Sequence, residues 1–214
     1  MIDIDAWLEE FCGRLDENFS GRIWFLGLQG SYARGEAKES SDIDIVVIFD
    51  RLTIQDLAAY RKMLDGIPER EKVCGFISGR DELMHWETSE LFQFCRDTLP
   101  IRGSLVEVLA LVSDDSVKRA VLSGACNIYH ACVHNFLHER DADILAGLYK
   151  SAAFVIQASY FVNTGRYVKR HCELVRLVSQ EEHEILRPDS GLGFDELSGK
   201  LFVWAGRKIS EAKN

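Results

Sequence analysis

The stretch that most constrains this chain is Leu26 to Phe49, LGLQGSYARGEAKESSDIDIVVIF. A short apolar run, Ile23 to Leu28, leads into Gln29-Gly30-Ser31. A ten-residue polar spacer (32–41) follows, and Asp42-Ile43-Asp44 then opens a second run rich in β-branched residues that ends at Phe49. Apolar runs of this length bounded by turn residues read as buried strands. On a strand Asp42 and Asp44 lie at i and i+2, so both carboxylates point to one face. Two charges at the mouth of so apolar a strand are costly unless they are paired or ligated.

These parts suit phosphate chemistry. Gly30 has no side chain, so its backbone can come close to a phosphate. Ser31 and the N–H groups after it open a short helical segment, a place where phosphate oxygens are held. Side by side, two carboxylates repel and push one pKa up. A divalent cation removes that conflict, and Mg²⁺ favours one or two carboxylates together with substrate phosphates and water. Asp42 and Asp44 are therefore the metal candidates, with Gly30 and Ser31 as candidates for phosphate oxygens.

Around this motif the chain has an α/β half and a helical half. Ile4, Trp7, Leu8, Phe11 and Leu15 recur at helical spacing. Thr53 can cap a helix to about Leu64. Val73 to Ile77 and Leu91 to Cys95 read as third and fourth strands. From Asp114 to Thr164 the pattern is helical, with a break at Glu139-Arg140-Asp141 and a stop at Asn163-Thr164-Gly165. Ser179 to Glu182 is a capping box, Pro188 to Gly193 a loop, and Leu197, Leu201 and Trp204 mark a last amphipathic helix. The fold class expected is α+β, a small mixed sheet followed by an all-helical bundle, divided as 1–108 and 109–214.

Gly30-Ser31 with Asp42-Ile43-Asp44 resembles the signature of the DNA polymerase β-like nucleotidyltransferases. Tyr32-Ala33-Arg34-Gly35-Glu36 and Ser41 resemble the bacterial small-molecule branch of that superfamily, which implies Arg34 beside Gly30 and Ser31 as a candidate for the triphosphate of ATP. The resemblance implies a mixed sheet with helices on one face. It also implies transfer of a nucleoside monophosphate from a triphosphate to a hydroxyl, with release of pyrophosphate. The superfamily usually carries a third carboxylate on a later strand, and Val73 to Ile77 has none. Leu83 to Phe94 is similar to streptomycin/spectinomycin adenylyltransferases, in which a glutamate opening the next strand acts as base. Glu90 matches that position, on a strand whose same face would carry Phe92 and Phe94, and Asp97 is the competing acid. In the same enzymes a lysine after a Thr-Gly pair meets the nucleotide phosphates. Arg170 stands there, while Gln157 replaces a family arginine. Lys150, mid-helix, is a further cation for the phosphates in a cleft between the two halves.

The reading that follows is a cytoplasmic, Mg²⁺-dependent enzyme that moves AMP from ATP to a small molecule, an aminoglycoside-like amino sugar being the nearest analogy. A protein-modifying adenylyltransferase of antitoxin type and a non-catalytic nucleotide-binding module are the alternatives. With 25 Lys and Arg against 34 Asp and Glu, the net charge of -9 argues against a nucleic-acid partner. Met1 to Asp5 has no signal-peptide pattern, and no apolar run reaches the roughly 20 residues of a membrane span. The six cysteines form no C-x-x-C pair and read as free thiols. Two weaker patterns remain. Cys126, His130, His134 and His138 form a helical stripe that could hold zinc, and Arg166 with His171 shows the R-x-x-x-x-H spacing of some helical ribonucleases. A solvated or packed helix explains each of them as well.

Overall fold

The computed structural model describes residues 2–211. By its internal contacts the chain forms two compact units. The first runs to Glu87 and resumes at Asp97–Leu111, and the second comprises Thr88–Arg96 and the chain from Val112 onward. The second unit thus takes a segment that lies upstream of the boundary expected at 108/109.

The first unit opens with α1 (Ile4–Phe19), capped by the Asp3 carboxylate, which accepts from the Ala6 N–H. Then come β1 (Ile23–Leu28), α2 (Gly30–Arg34), β2 (Ile43–Phe49) and α3 (Ile54–Leu64). Thr53 and Asp56 form a complete capping box at the start of α3, satisfying N–H groups that the first turn leaves over. β3 (Val73–Gly79) and α4 (Arg80–Met84) follow.

The strand order is β3-β2-β1 and then a fourth strand, β4 (Leu99–Arg102), which pairs antiparallel with β1. β1 and β2 are antiparallel and β2 and β3 parallel, so the sheet is mixed. Alternation sorts the two faces. Leu26, Leu28, Ile43, Ile45, Val47 and Phe49 join Trp7, Phe11, Leu15 and Phe19 of α1 and Tyr60, Met63 and Leu64 of α3 in one core. Asp44, Val46 and Ile48 therefore face the other way. β4 is held against α1 by Arg102, whose guanidinium donates to both oxygens of Asp16 at 2.6 and 2.9 Å.

The second unit is helical. It takes most of α5 (Thr88–Asp97), which lies between α4 and β4 in the chain. After α6 (Val106–Leu109), which belongs to the first unit, come α7 (Asp114–His134) and α8 (Ala142–Thr164). A π-helical turn at Asn135–Glu139 and a left-handed Arg140 break the two long helices apart at the expected place. Gly165, also left-handed, ends α8. Short α9 (His171–Leu174), α10 (Gln180–Leu186) and amphipathic α11 (Phe194–Glu211) complete the unit. Its core brings Val121, Ala125 and Ile128 of α7 together with Ala152, Val155 and Ile156 of α8 and Leu201 and Trp204 of α11.

Two expectations are corrected. Leu91 to Cys95 is not a strand: it is the middle of α5. Leu91 and Phe92 are both buried, and the Phe92 ring packs on Phe161 and Tyr167, 4.9 and 5.6 Å between centroids. Packing against the helical core overrides the alternation of Phe92-Gln93-Phe94. Second, α8 is by length and apolarity able to cross a bilayer, so the expectation that no segment reaches that size fails. Nine of its residues, from Leu145 to Ser159, are buried in the helical unit, as suits a core helix.

Candidate active site

Asp44 sits where the sheet register places it, and Asp42 lies exposed just before β2. Leu28 pairs with Ile45 on one side and with Leu99 on the other, so one step further Gln29 lies between Asp44 and Thr98. The Gln29 N–H donates to the Asp44 carbonyl at 2.7 Å, and the Gln29 side-chain amide donates to the Thr98 hydroxyl at 2.7 Å. Side chains opposite one another across antiparallel strands share a face. Asp44, Gln29 and Thr98 thus form a polar row on the face turned away from the α1 and α3 core. On the parallel partner strand Cys74 stands beside Asp44, and β3 bears no carboxylate.

Gly30 has φ +66°, left-handed backbone that favours glycine. A Cβ at this position would overlap the Asp44 Oδ2. The Asp44 carboxylate is seated directly on the glycine where α2 begins. α2 is short and ends at left-handed Gly35, whose N–H returns to the Tyr32 carbonyl at 3.1 Å. Its first N–H groups, those of Gly30, Ser31 and Tyr32, have no carbonyl one turn back to bind within the helix. Ahead of the acids, the Ser41 hydroxyl accepts from the Lys38 N–H at 2.8 Å, closing a turn that delivers Asp42 at the surface. Asp44 is half-buried and Ile43 between them is fully buried.

Two carboxylates at the mouth of one strand, a backbone turn open to phosphate and access to water are what Mg²⁺ asks for. The residues present fit such an ion. Among the described residues no cluster of three or more His, Cys, Asp or Glu side chains could hold a metal, the histidine stripe of α7 included. His134 and His138 do stack, with centroids 5.0 Å apart.

The remaining candidates are placed as follows. Arg34 is turned toward carboxylates: its Nε donates to Glu36 at 3.3 Å, and its Nη1 lies 3.8 Å from the Asp97 Oδ2. Arg34 and Asp97 are 11% and 7% exposed, a nearly buried ion pair in the first unit. Glu90 is in the first turn of α5, in the second unit, exposed, and it lines a cavity of about 460 Å³. Ser89, Gln93, Ser123, Asn127 and Ser151 add polar groups to that cavity, Phe154 and small apolar residues of α7 and α8 form its walls, and neither Lys nor Arg lines it. Arg170 is the N-cap residue of α9, exposed, with Glu173 3.5 Å away. Lys150 is exposed on α8. Arg166 is exposed, and His171 is half-buried with its ring edge-on to Phe154 at 6.1 Å.

Sequence reading missed three features. Gln29 and Thr98 extend the polar row beside Asp44, and a polar residue at the very end of a buried strand was the available signal. The Arg34–Asp97 pair joins residues too far apart in sequence to be matched. Gln157, seen only as a lost charge, is fully buried, and its amide is bonded on both sides.

Comparison with known proteins gives the same direction. A protein of Methanocaldococcus jannaschii, named as a candidate protein adenylyltransferase, is 36% identical over 73 residues, covering 31% of this chain and 73% of that protein. The crystal structure of spectinomycin adenyltransferase AAD(9) from Enterococcus faecialis, with ATP and spectinomycin, superposes with a TM-score of 0.59 at 14% identity. That likeness covers 98% of this chain and 99% of the other, and it carries the fold. Residues 8–123, more than half of the sequence, match the family described as nucleotidyltransferase domain. With its Gly-Ser turn and paired aspartates on a mixed sheet, the chain belongs to the nucleotidyltransferase family.

Proposed function

We propose that this nucleotidyltransferase uses Mg²⁺ and ATP to transfer AMP to a hydroxyl of a small, amine-bearing molecule of the amino-sugar kind. The observation that carries the reading is the seat of the Asp44 carboxylate on Gly30. It joins a candidate metal ligand to the turn whose N–H groups suit phosphate.

In this reading Asp42 and Asp44 would hold the metal, which would supply positive charge for the phosphates. Gly30 and Ser31 hold phosphate oxygens. Arg170 and Lys150 supply further positive charge to the nucleotide. Glu90 takes the proton of the acceptor hydroxyl as general base. Its cavity supports a small acceptor: the volume is that of a ligand pocket, and on largely apolar walls it carries one carboxylate with a few hydroxyls and amides and no base, which suits a small cationic molecule. A named spectinomycin adenyltransferase of the same fold is consistent with that choice. The archaeal relative favours a second reading, in which the acceptor is a protein hydroxyl.

The test is calorimetry of ATP with and without Mg²⁺ on the wild type and on Asp42→Asn/Asp44→Asn, which keeps shape and removes charge. The double variant is expected to lose the Mg²⁺-dependent part of the affinity. Equal Mg²⁺-dependent binding by both proteins defeats the metal assignment. Mass spectrometry of products from α-labelled ATP, offered amino sugars or protein, decides the acceptor: adenylylated protein with no adenylylated sugar defeats the small-molecule reading.

A further inference from the structure

We infer that Gln157 is a positioning residue for the transfer step, holding in register the two parts of the helical unit that bear Glu90 and Arg170. The inference rests on the assignment of Glu90 as base.

Gln157 sits on α8 with no exposure to solvent. Its Nε2 donates to the carbonyls of Val168 and Lys169 at 3.0 and 3.1 Å. Two carbonyls facing one atom fix that atom as the NH₂ end of the amide, so the orientation follows from chemistry. The Oε1 then faces away from the loop and accepts from the Gln93 Nε2 at 3.0 Å. A single buried side chain therefore spans two elements that are far apart in sequence. One is the Val168–Lys169 backbone, directly followed by Arg170. The other is α5, where Gln93 lies three residues after Glu90, on the same helical face, with both lining the cavity.

Such a residue is stiff by necessity. Any movement of α5 relative to the Val168–Lys169 backbone breaks a hydrogen bond to an amide that is itself shut off from solvent, and the low dielectric around that amide raises the cost. The amide is also specific. A glutamate of the same shape would aim a carboxylate at two carbonyl oxygens, and an arginine would bring a buried charge. Gln157 is a neutral clamp. It sets the distance between the carboxylate of Glu90 and the backbone that carries Arg170.

A double-variant cycle tests this. Gln93→Met removes the link to α5 and leaves the two bonds from Gln157 to the loop. Under the proposal it lowers kcat about tenfold to a hundredfold, the scale of a misplaced catalytic group, and leaves KM for ATP unchanged. In a Glu90→Gln background the same substitution costs nothing further, because its effect passes through Glu90. Gln157→Met loses both links and is expected to weaken ATP binding as well. Gln157→Glu, of the same shape, is not expected to restore it. Should the Gln157 variants not fold, the Gln93→Met cycle stands alone. If Glu90→Gln is slow and Gln93→Met costs the same factor in both backgrounds, the two sites are independent and the positioning role is overturned by itself. If Glu90→Gln turns over like the wild type, the base assignment and the positioning role fall together.

Discussion

Replacing Gly30 by alanine separates backbone strain from damage to the acid pair. At φ +66° an L-residue pays the left-handed penalty of about 1–2 kcal/mol. For a chain of this size that is roughly 2–4 °C in Tm per kcal/mol, so a fall of about 2–8 °C is expected. The new methyl also meets the Asp44 Oδ2. A side chain gives way more readily than backbone, so the carboxylate rotates off the glycine and its oxygen leaves the place from which it would meet a metal. Gly35 supplies the control. It is left-handed too, at φ +68°, and nothing lies within 4 Å of the Cβ it would gain. Gly35→Ala should lose similar stability in a melting experiment and keep Mg²⁺-dependent ATP affinity in calorimetry. Gly30→Ala should lose both. If Gly30→Ala binds Mg²⁺ and ATP as Gly35→Ala does, the contact between Gly30 and Asp44 has no part in the site, and the reasoning is refuted.

Three further outcomes are expected. Arg170→Ala should weaken ATP more than AMP, by about 1.5–3 kcal/mol or roughly ten- to a hundredfold; equal losses for the two nucleotides would place the contact elsewhere. Asp97→Asn removes one partner from the nearly buried Arg34 and should lower stability by about 1–3 kcal/mol, read as Tm, while transfer stays within a few-fold of wild type; abolished transfer by a folded variant would move the base to Asp97. Hydrogen bonds from Arg22, then from Thr53, hold the Asp56 carboxyl down at about 2. A depressed carboxylate stabilises the fold in full above its unfolded pKa near 4 and ceases to do so as pH falls through about 2. Asp56→Asn should therefore melt below the wild type at pH 5, with the gap closing toward pH 2; a gap constant over that range contradicts the assignment.

What the sequence made legible was local. β1 and β2 carry their own apolar runs, Thr53 and Ser179 carry their own caps, and Gly165 carries its own stop. The acid pair and the glycine turn lie within one short stretch, so their chemistry could be read together. α5 was misread because Phe92-Gln93-Phe94 alternates like a strand, and the rings that make it a helix, Phe161 and Tyr167, come much later in the chain. β4 is four exposed residues, one of them a proline, and nothing in its composition marks it. It exists because the open side of β1 accepts it, as an edge position tolerates Pro100. Gln157 looked like a missing charge, because composition shows what a residue lacks and not what surrounds it.

The excursion of Thr88–Arg96 into the helical unit bears on how the protein is made. On a ribosome the sheet can be assembled once residue 102 has emerged, yet Phe92 must then wait for Phe161 and Tyr167 to be synthesised. During that interval a greasy segment tethered at both ends has no home, the kind of transiently exposed surface that chaperones bind. Nor can a single cut between residues 97 and 112 yield two intact halves. A fragment ending at 111 would keep α5 without its core and is expected to aggregate, and a fragment beginning at 112 would present a slot shaped for the missing helix.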